Sequence, residues 1–278
     1  MITLQAGNWI CGVEPACGMT PAVLTYGGEA VLRPPETAEA LLERPCVYGS
    51  ALLWPANRTA GGKFRFEGRE YTLPLNDPAG NNHVHGFVNR SEFTVDSADG
   101  RMVCAHLENR GEIYPFPFRL EVCYRLTEEG LFQTFRLINT GTGRMPFTFG
   151  LHTNFAEPAL LQVPIGQRWE KNGEHIPTGV LLPLDEREKA YRDGFRPDQK
   201  PVTGLFTSCG HRAVIGDFCY EVSENFDQWV LWNGNGCQGF VSAEPQCGAV
   251  NALNSGAGLQ ILAPGQQALF ETHIGLKE

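Results

Sequence analysis

Phe118-Arg119-Leu120-Glu121-Val122-Cys123-Tyr124-Arg125-Leu126 decides the fold class. Residues 118, 120, 122, 124 and 126 are apolar, and Arg119, Glu121 and Arg125 stand between them. Successive side chains of a strand point to opposite faces, so this stretch reads as a strand with one buried and one wet face. Thr127-Glu128-Glu129-Gly130 then turns the chain, and Leu131, Gln133, Phe135 and Leu137 continue the period on a partner strand. The pair reads as an antiparallel hairpin. Residues 63–66 and 71–73, around Glu67-Gly68-Arg69-Glu70, read as a second hairpin. Residues 92–95 and 102–107, around Asp99-Gly100, read as a third.

The same pattern recurs toward the C-terminus. Strands are expected at 212–215, 218–222, 228–232, 238–243, 258–262 and 268–274, separated by Gly216-Asp217, Asn233-Gly234-Asn235-Gly236 and Pro264-Gly265. The 32 glycines and 19 prolines suit many turns. Only 36–44 and 185–192 read as helices, both short, and 166–210 reads as long loops. No repeat, low-complexity tract or linker divides the chain. The expectation is an all-β protein, a single domain spanning 1–278 and built as a large antiparallel β-sandwich.

Charge narrows the partners. With 31 acidic and 22 basic residues the formal net charge is -9, and no block of Lys or Arg offsets it. Nucleic acid and anionic membrane are therefore poor partners, and a neutral small molecule fits better. The N-terminus shows no signal-peptide pattern, and no run approaches the roughly 18 apolar residues of a membrane span. The nine cysteines are scattered without a C-x-x-C, which disfavours zinc ribbons and redox motifs. Reduced thiols and a cytoplasmic location are expected.

Four stretches carry side chains with chemistry. Glu244 lies in Val241-Ser242-Ala243-Glu244-Pro245-Gln246, at the end of an apolar run and beside a proline. It reads as a salt-bridged rim residue or as a base. His152 follows Pro146-Phe147-Thr148-Phe149-Gly150. A histidine in a half-apolar cleft titrates near neutrality and suits an acid, although a core histidine is the ordinary reading. Arg58, in the loop Trp54-Pro55-Ala56-Asn57-Arg58, offers five donors to hydroxyls or a carboxylate, or is a plain surface arginine. His83 and His85, at i and i+2 of a strand, would line one cleft. A cupin-type metal set would need a glutamate four or five residues beyond His85, but the next carboxylate is Glu92. No metal is therefore expected there.

Taken in order, these stretches resemble the aldose 1-epimerases, the galactose mutarotases and their relatives. The resemblance rests on Leu52-Leu53-Trp54-Pro55-Ala56-Asn57-Arg58, Gly62-Lys63-Phe64-Arg65-Phe66-Glu67-Gly68-Arg69-Glu70-Tyr71 and Asn82-His83-Val84-His85-Gly86-Phe87. It continues through the His152 segment, Ala243-Glu244-Pro245-Gln246 and Ala263-Pro264-Gly265-Gln266. It implies a large antiparallel β-sandwich that interconverts the α and β anomers of a free aldose, without metal or cofactor. It also implies that Glu244 is the general base and His152 the general acid. Arg58 and His85 would hold the sugar, with Asn82 and His83 beside them. The implied partner is a monosaccharide, and the implied assembly a monomer or homodimer.

The chemistry explains these residue types. Opening a hemiacetal needs a base for the C1 hydroxyl proton and an acid for the ring oxygen. An ionised carboxylate and a protonated imidazole supply both near neutrality. Aromatic walls for the sugar are expected from Phe87, Phe149, Phe155 and Trp232. The chain departs from the family pattern in one respect. Where a sugar-binding aspartate is expected, Pro201-Val202-Thr203-Gly204-Leu205-Phe206-Thr207 holds no acid. Asp185, Asp193 and Asp198 are the nearest substitutes. Two other readings stand beside the enzyme: a carbohydrate-binding protein on the same fold that lacks turnover, and a glycoside-processing enzyme using Glu157 with Glu244.

Overall fold

A computed structural model describes residues 1–277. Two antiparallel sheets form its body. The first has eight strands, in the order 94–98, 102–109, 118–127, 130–139, 267–276, 218–222, 212–215 and 161–162. The second has seven, in the order 177–182, 165–171, 203–208, 228–232, 240–247, 149–156 and 50–53. A four-stranded sheet, 2–6, 9–14, 20–26 and 29–30, lies N-terminal to both in sequence. The chain is thus the expected all-β sandwich.

The alternation at 118–126 is realised as read. Phe118, Leu120, Val122, Tyr124 and Leu126 are fully buried, and the strand pairs with 130–139 from Phe118↔Asn139 to Thr127↔Gly130. The faces of the two large sheets meet through aromatic side chains. Phe149 of the second sheet lies 5.4 Å from Phe135 and 4.8 Å from Phe270 of the first. Tyr220 packs against Phe155 and Trp229, and its hydroxyl lies 3.0 Å from the Thr153 hydroxyl. Offset and edge-on ring contacts of this kind add to area burial and fix the sheets in one alignment.

Several expectations change. The stretch 166–210 is not mainly loop: it forms strands Ile165–Lys171, Pro177–Leu182 and Thr203–Ser208 and helix Glu186–Asp193. The 165–171 and 177–182 strands are bulged and carry exposed residues on both faces, so no period-2 signal survives. His152 sits within strand Phe149–Ala156. The strand expected to stop at 243 runs from Phe240 to Cys247. Its ladder to 149–156 skips Glu244 and Pro245, where proline has no N–H to donate. Not all cysteines are free thiols. Cys104 and Cys123 lie directly opposite on paired strands, Cα atoms 4.1 Å apart, and are joined as a disulfide. The other seven are free.

Candidate active site

The second sheet builds the site. In strand 149–156, Leu151 and Phe155 join the core while His152 faces the opposite side. In strand 240–247, Val241 and Ala243 join the core while Glu244 faces the same side as His152. The register Gly150↔Gln246 and Thr153↔Ala243 sets His152 across from Glu244. His152 Nε2 lies 3.3 Å from Glu244 Oε1, with side-chain exposures of 7% and 2%. Two residues on, Ser242 donates to Asn154 Oδ1 at 2.6 Å. Asn154 in turn donates to the carbonyls of Cys46, Gly49 and His152. This buried amide ties the histidine strand to the segment that closes one wall of the site.

A second group arrives from the loop after strand 50–53. Trp54 is fully buried, stacked on Phe118 at 4.8 Å and Phe147 at 5.4 Å. Burial of an indole stabilises by roughly 4–6 kcal/mol before entropic costs. So anchored, the chain delivers Asn57 and Arg58, and strand Arg58–Ala60 pairs with Asn82–Val84. His85 N–H donates to the Asn57 carbonyl at 2.9 Å. Gly86 lies against the Trp54 backbone, where an added Cβ would sit 1.5 Å from the Trp54 carbonyl oxygen. Only glycine permits that approach.

These elements enclose a cavity of about 370 Å³. That is near the lower end of the range for small-molecule sites, roughly 300–1,000 Å³. Arg58, His85, His152 and Glu244 all line it. Asn82 and His83 do not. Strand 82–84 ends before His85, whose φ of 64° turns its ring away from the direction of His83. The shared-cleft expectation fails for that reason. His83 Nδ1 instead meets the Pro74 carbonyl at 2.7 Å, and Asn82 donates to the Glu174 carbonyl at 3.1 Å. Both brace loops behind the cavity. Of the four aromatic candidates only Trp232 lines it; Phe149 and Phe155 are core.

Sequence reasoning missed Asn57, Lys171 and His175 as cavity residues. Lys171 and His175 come from the 165–182 arm, which shows no motif. None of the three substitute aspartates lines the cavity. Asp185 caps the helix that follows it, Asp193 pairs with Arg192, and Asp198 lies outside. Glu157 lines a separate hollow with Pro158 and Ile215, so no Glu157–Glu244 carboxylate pair forms. Among the described residues one group brings three metal-type donors together, Cys219, Glu221 and His273, on the eight-stranded sheet and away from the cavity.

Electrostatics follow from burial. Desolvation pushes the Glu244 carboxyl up to about 8, against the opposing pull of Arg58 and a hydrogen bond from Gln246. Desolvation brings the His152 imidazole down to about 4, and its Nδ1 is buried without a hydrogen-bond partner. His85, whose ring centre is 5.4 Å from that of His152, is held neutral first by burial and then by His152, Arg58 and His83. Burial thus favours the uncharged form of both groups, where an ionised carboxylate and a protonated imidazole were expected. This is a proton-shifted form of the expected ion pair.

The family model of aldose 1-epimerase matches residues 23–275. The chain belongs to the aldose 1-epimerase family. A relative within reach of sequence comparison is the uncharacterized protein YihR of Escherichia coli K12. It is 26% identical over 282 residues, spanning 95% of this chain and 89% of YihR. Among solved structures, a galactose mutarotase-like protein from Clostridium acetobutylicum superimposes with a TM-score of 0.91 at 23% identity, covering 99% of this chain and 94% of that one. Galactose 1-epimerase from Lactobacillus acidophilus gives 0.82 at 18%, covering 99% and 93%. At these identities the superpositions show the fold alone. No helix among the described residues is long and apolar enough to cross a membrane.

Proposed function

We propose that the chain is an aldose 1-epimerase that interconverts the anomers of a free monosaccharide, with Glu244 and His152 as its proton-transfer pair. The observation that carries this is the 3.3 Å separation of His152 Nε2 and Glu244 Oε1 on the wall of a cavity that Arg58 and His85 also line. Ring opening takes one proton from O1 and gives one to the ring oxygen. A pair holding a single mobile proton does both without a net change in its own charge. Sugar hydroxyls that donate to the Glu244 carboxyl favour its ionised form, and the shared proton then sits on His152. Glu244 becomes the base and His152 the acid. The C1–C2 bond turns, and reclosure on the other face of the aldehyde returns both protons.

Arg58 offers donors to the sugar hydroxyls, and Trp232 an apolar face to its C–H bonds. Asn82 and His83 act through their strand, which pairs with the one that begins at Arg58, and through side chains that hold the Glu174 and Pro74 carbonyls. Polarimetry over a panel of free aldoses tests the proposal: the protein speeds the approach of at least one to anomeric equilibrium. The binding-only reading keeps one observation, the lack of an aspartate on the cavity wall. A panel in which sugars bind and none equilibrates faster would select it.

A further inference from the structure

Against a chain of net charge -9, the cavity has the opposite sign. Among its described lining residues the cationic side chains are Arg58 and Lys171, with His175 beside them, and the sole carboxyl is Glu244. That carboxyl faces His152 at 3.3 Å and forms an ion pair with neither cation, and burial raises it above the ordinary carboxylate range. Asp77 partly offsets Arg58, its Oδ2 lying 3.7 Å from Arg58 Nε, but it does not line the cavity. Arg58 Nε itself is buried without a hydrogen-bond partner. Lys171 forms no ion pair among the described residues, and partial burial first and the Arg58 charge second lower its ammonium below the ordinary value.

The cations are also placed in order. Arg58 is felt by Glu244 on one side and by Lys171 and His175 on the other. Strand 165–171 stands three places from strand 240–247 in the sheet. At about 4.8 Å per strand that is roughly 14 Å between backbones. Lys171 and Glu244 therefore enter the cavity from well-separated strands of the sheet. The wall in between is Thr203-Gly204-Leu205 and Val230-Leu231-Trp232, where no acid stands to receive neutral hydroxyls.

We infer that the substrate is an aldose carrying an anionic group at the end of the molecule remote from C1, held by Lys171 with His175 and Arg58. This rests on the anomerase reading for the position of C1. A lysine at the mouth of a half-desolvated site attracts a carboxylate or phosphate as a point charge, and a negative sugar enters against the chain's net charge only where the local field is positive.

The test measures equilibrium binding by calorimetry and anomer exchange by NMR on the same sugars: glucose, glucuronate and glucose 6-phosphate. At least one anionic sugar is expected to bind about tenfold or more tightly than glucose, with an affinity that weakens as salt is raised. Lys171→Gln should cut the ratio of kcat/KM for that sugar to kcat/KM for glucose by about tenfold, mainly through KM, and Lys171→Arg should restore much of it. The two anionic sugars show whether the group is a carboxylate or a phosphate. Equal binding of all three sugars, or a ratio unmoved in Lys171→Gln, overturns the inference even if glucose is anomerised. Salt-sensitive, Lys171-dependent binding with no faster exchange of any sugar leaves the anion site standing and removes the anomerase reading instead.

Discussion

His152 and Glu244 face each other at 3.3 Å because they occupy opposed positions on neighbouring antiparallel strands, not because a flexible loop carries one to the other. Both backbones are buried in the sheet, and both side chains are nearly sealed from water. A proton-transfer pair mounted in this way keeps its geometry at the cost of its solvation, and the consequences are measurable.

The rate should have two pH limits. Between about 4 and about 8 the pair holds one mobile proton; below that window it holds two, and above it none. The profile of kcat/KM against pH is expected to be a bell bounded near those values, which belong to the pair rather than to either residue. Measurement of kcat/KM from pH 3.5 to 9 checks this, and a flat profile up to pH 9 would count against the pair.

Removing either partner should cost most of the rate, and removing the second little more. Glu244→Gln and His152→Gln are each expected to lower kcat by about 10²–10⁴. The double variant should fall near the worse single variant, since groups acting as a unit are not additive. Strictly additive losses would show that the two act on different steps.

The buried carboxyl should make the fold weaker as pH rises. Glu244 has a folded value raised above its ordinary one, so the native state holds a proton that the unfolded chain releases between about 4.5 and about 8. Its contribution is fully present below that window and declines through it. Glu244→Gln removes the decline and should be the more stable protein at pH 8, by up to about 4 kcal/mol. Thermal melts of both proteins at pH 5 and pH 8 decide it, with the gap expected to open only at the higher pH.

Gly86→Ala tests how the cationic loop is held. The new methyl would meet the Trp54 carbonyl at 1.5 Å, at a φ of 65° that alanine also resists. The backbones of His85 and Trp54 must then part, and Arg58 moves with them. A loss of more than about 2 kcal/mol is expected, together with a raised KM, as read from denaturant melts and steady-state kinetics.

How much of this is readable from the residues differs by element. The hairpin at 118–139 is plain because one face is core and the other water, so the period is clean. Strands 212–215, 218–222 and 228–232 are equally plain because glycine turns or polar breaks bound them. Glu244 and His152 are visible only as residue types, because their meeting depends on pairing distant strands. His83 and His85 mislead because the alternation rule does not survive a strand of three residues followed by a left-handed backbone. Lys171 and His175 are invisible because the arm that carries them is bulged and exposed on both faces. The cavity's charge therefore emerges only in three dimensions, and with it the reading of the missing aspartate.

The central claim is that Glu244 and His152 pass protons to and from a free sugar. Saturation-transfer NMR between the α and β signals of an equilibrated aldose measures that exchange directly, with no coupling enzyme and no change in composition. Exchange well above the spontaneous rate is expected with the intact protein, and a rate near the spontaneous one with Glu244→Gln in a protein that still melts cooperatively. Full exchange in a folded Glu244→Gln protein would contradict that claim.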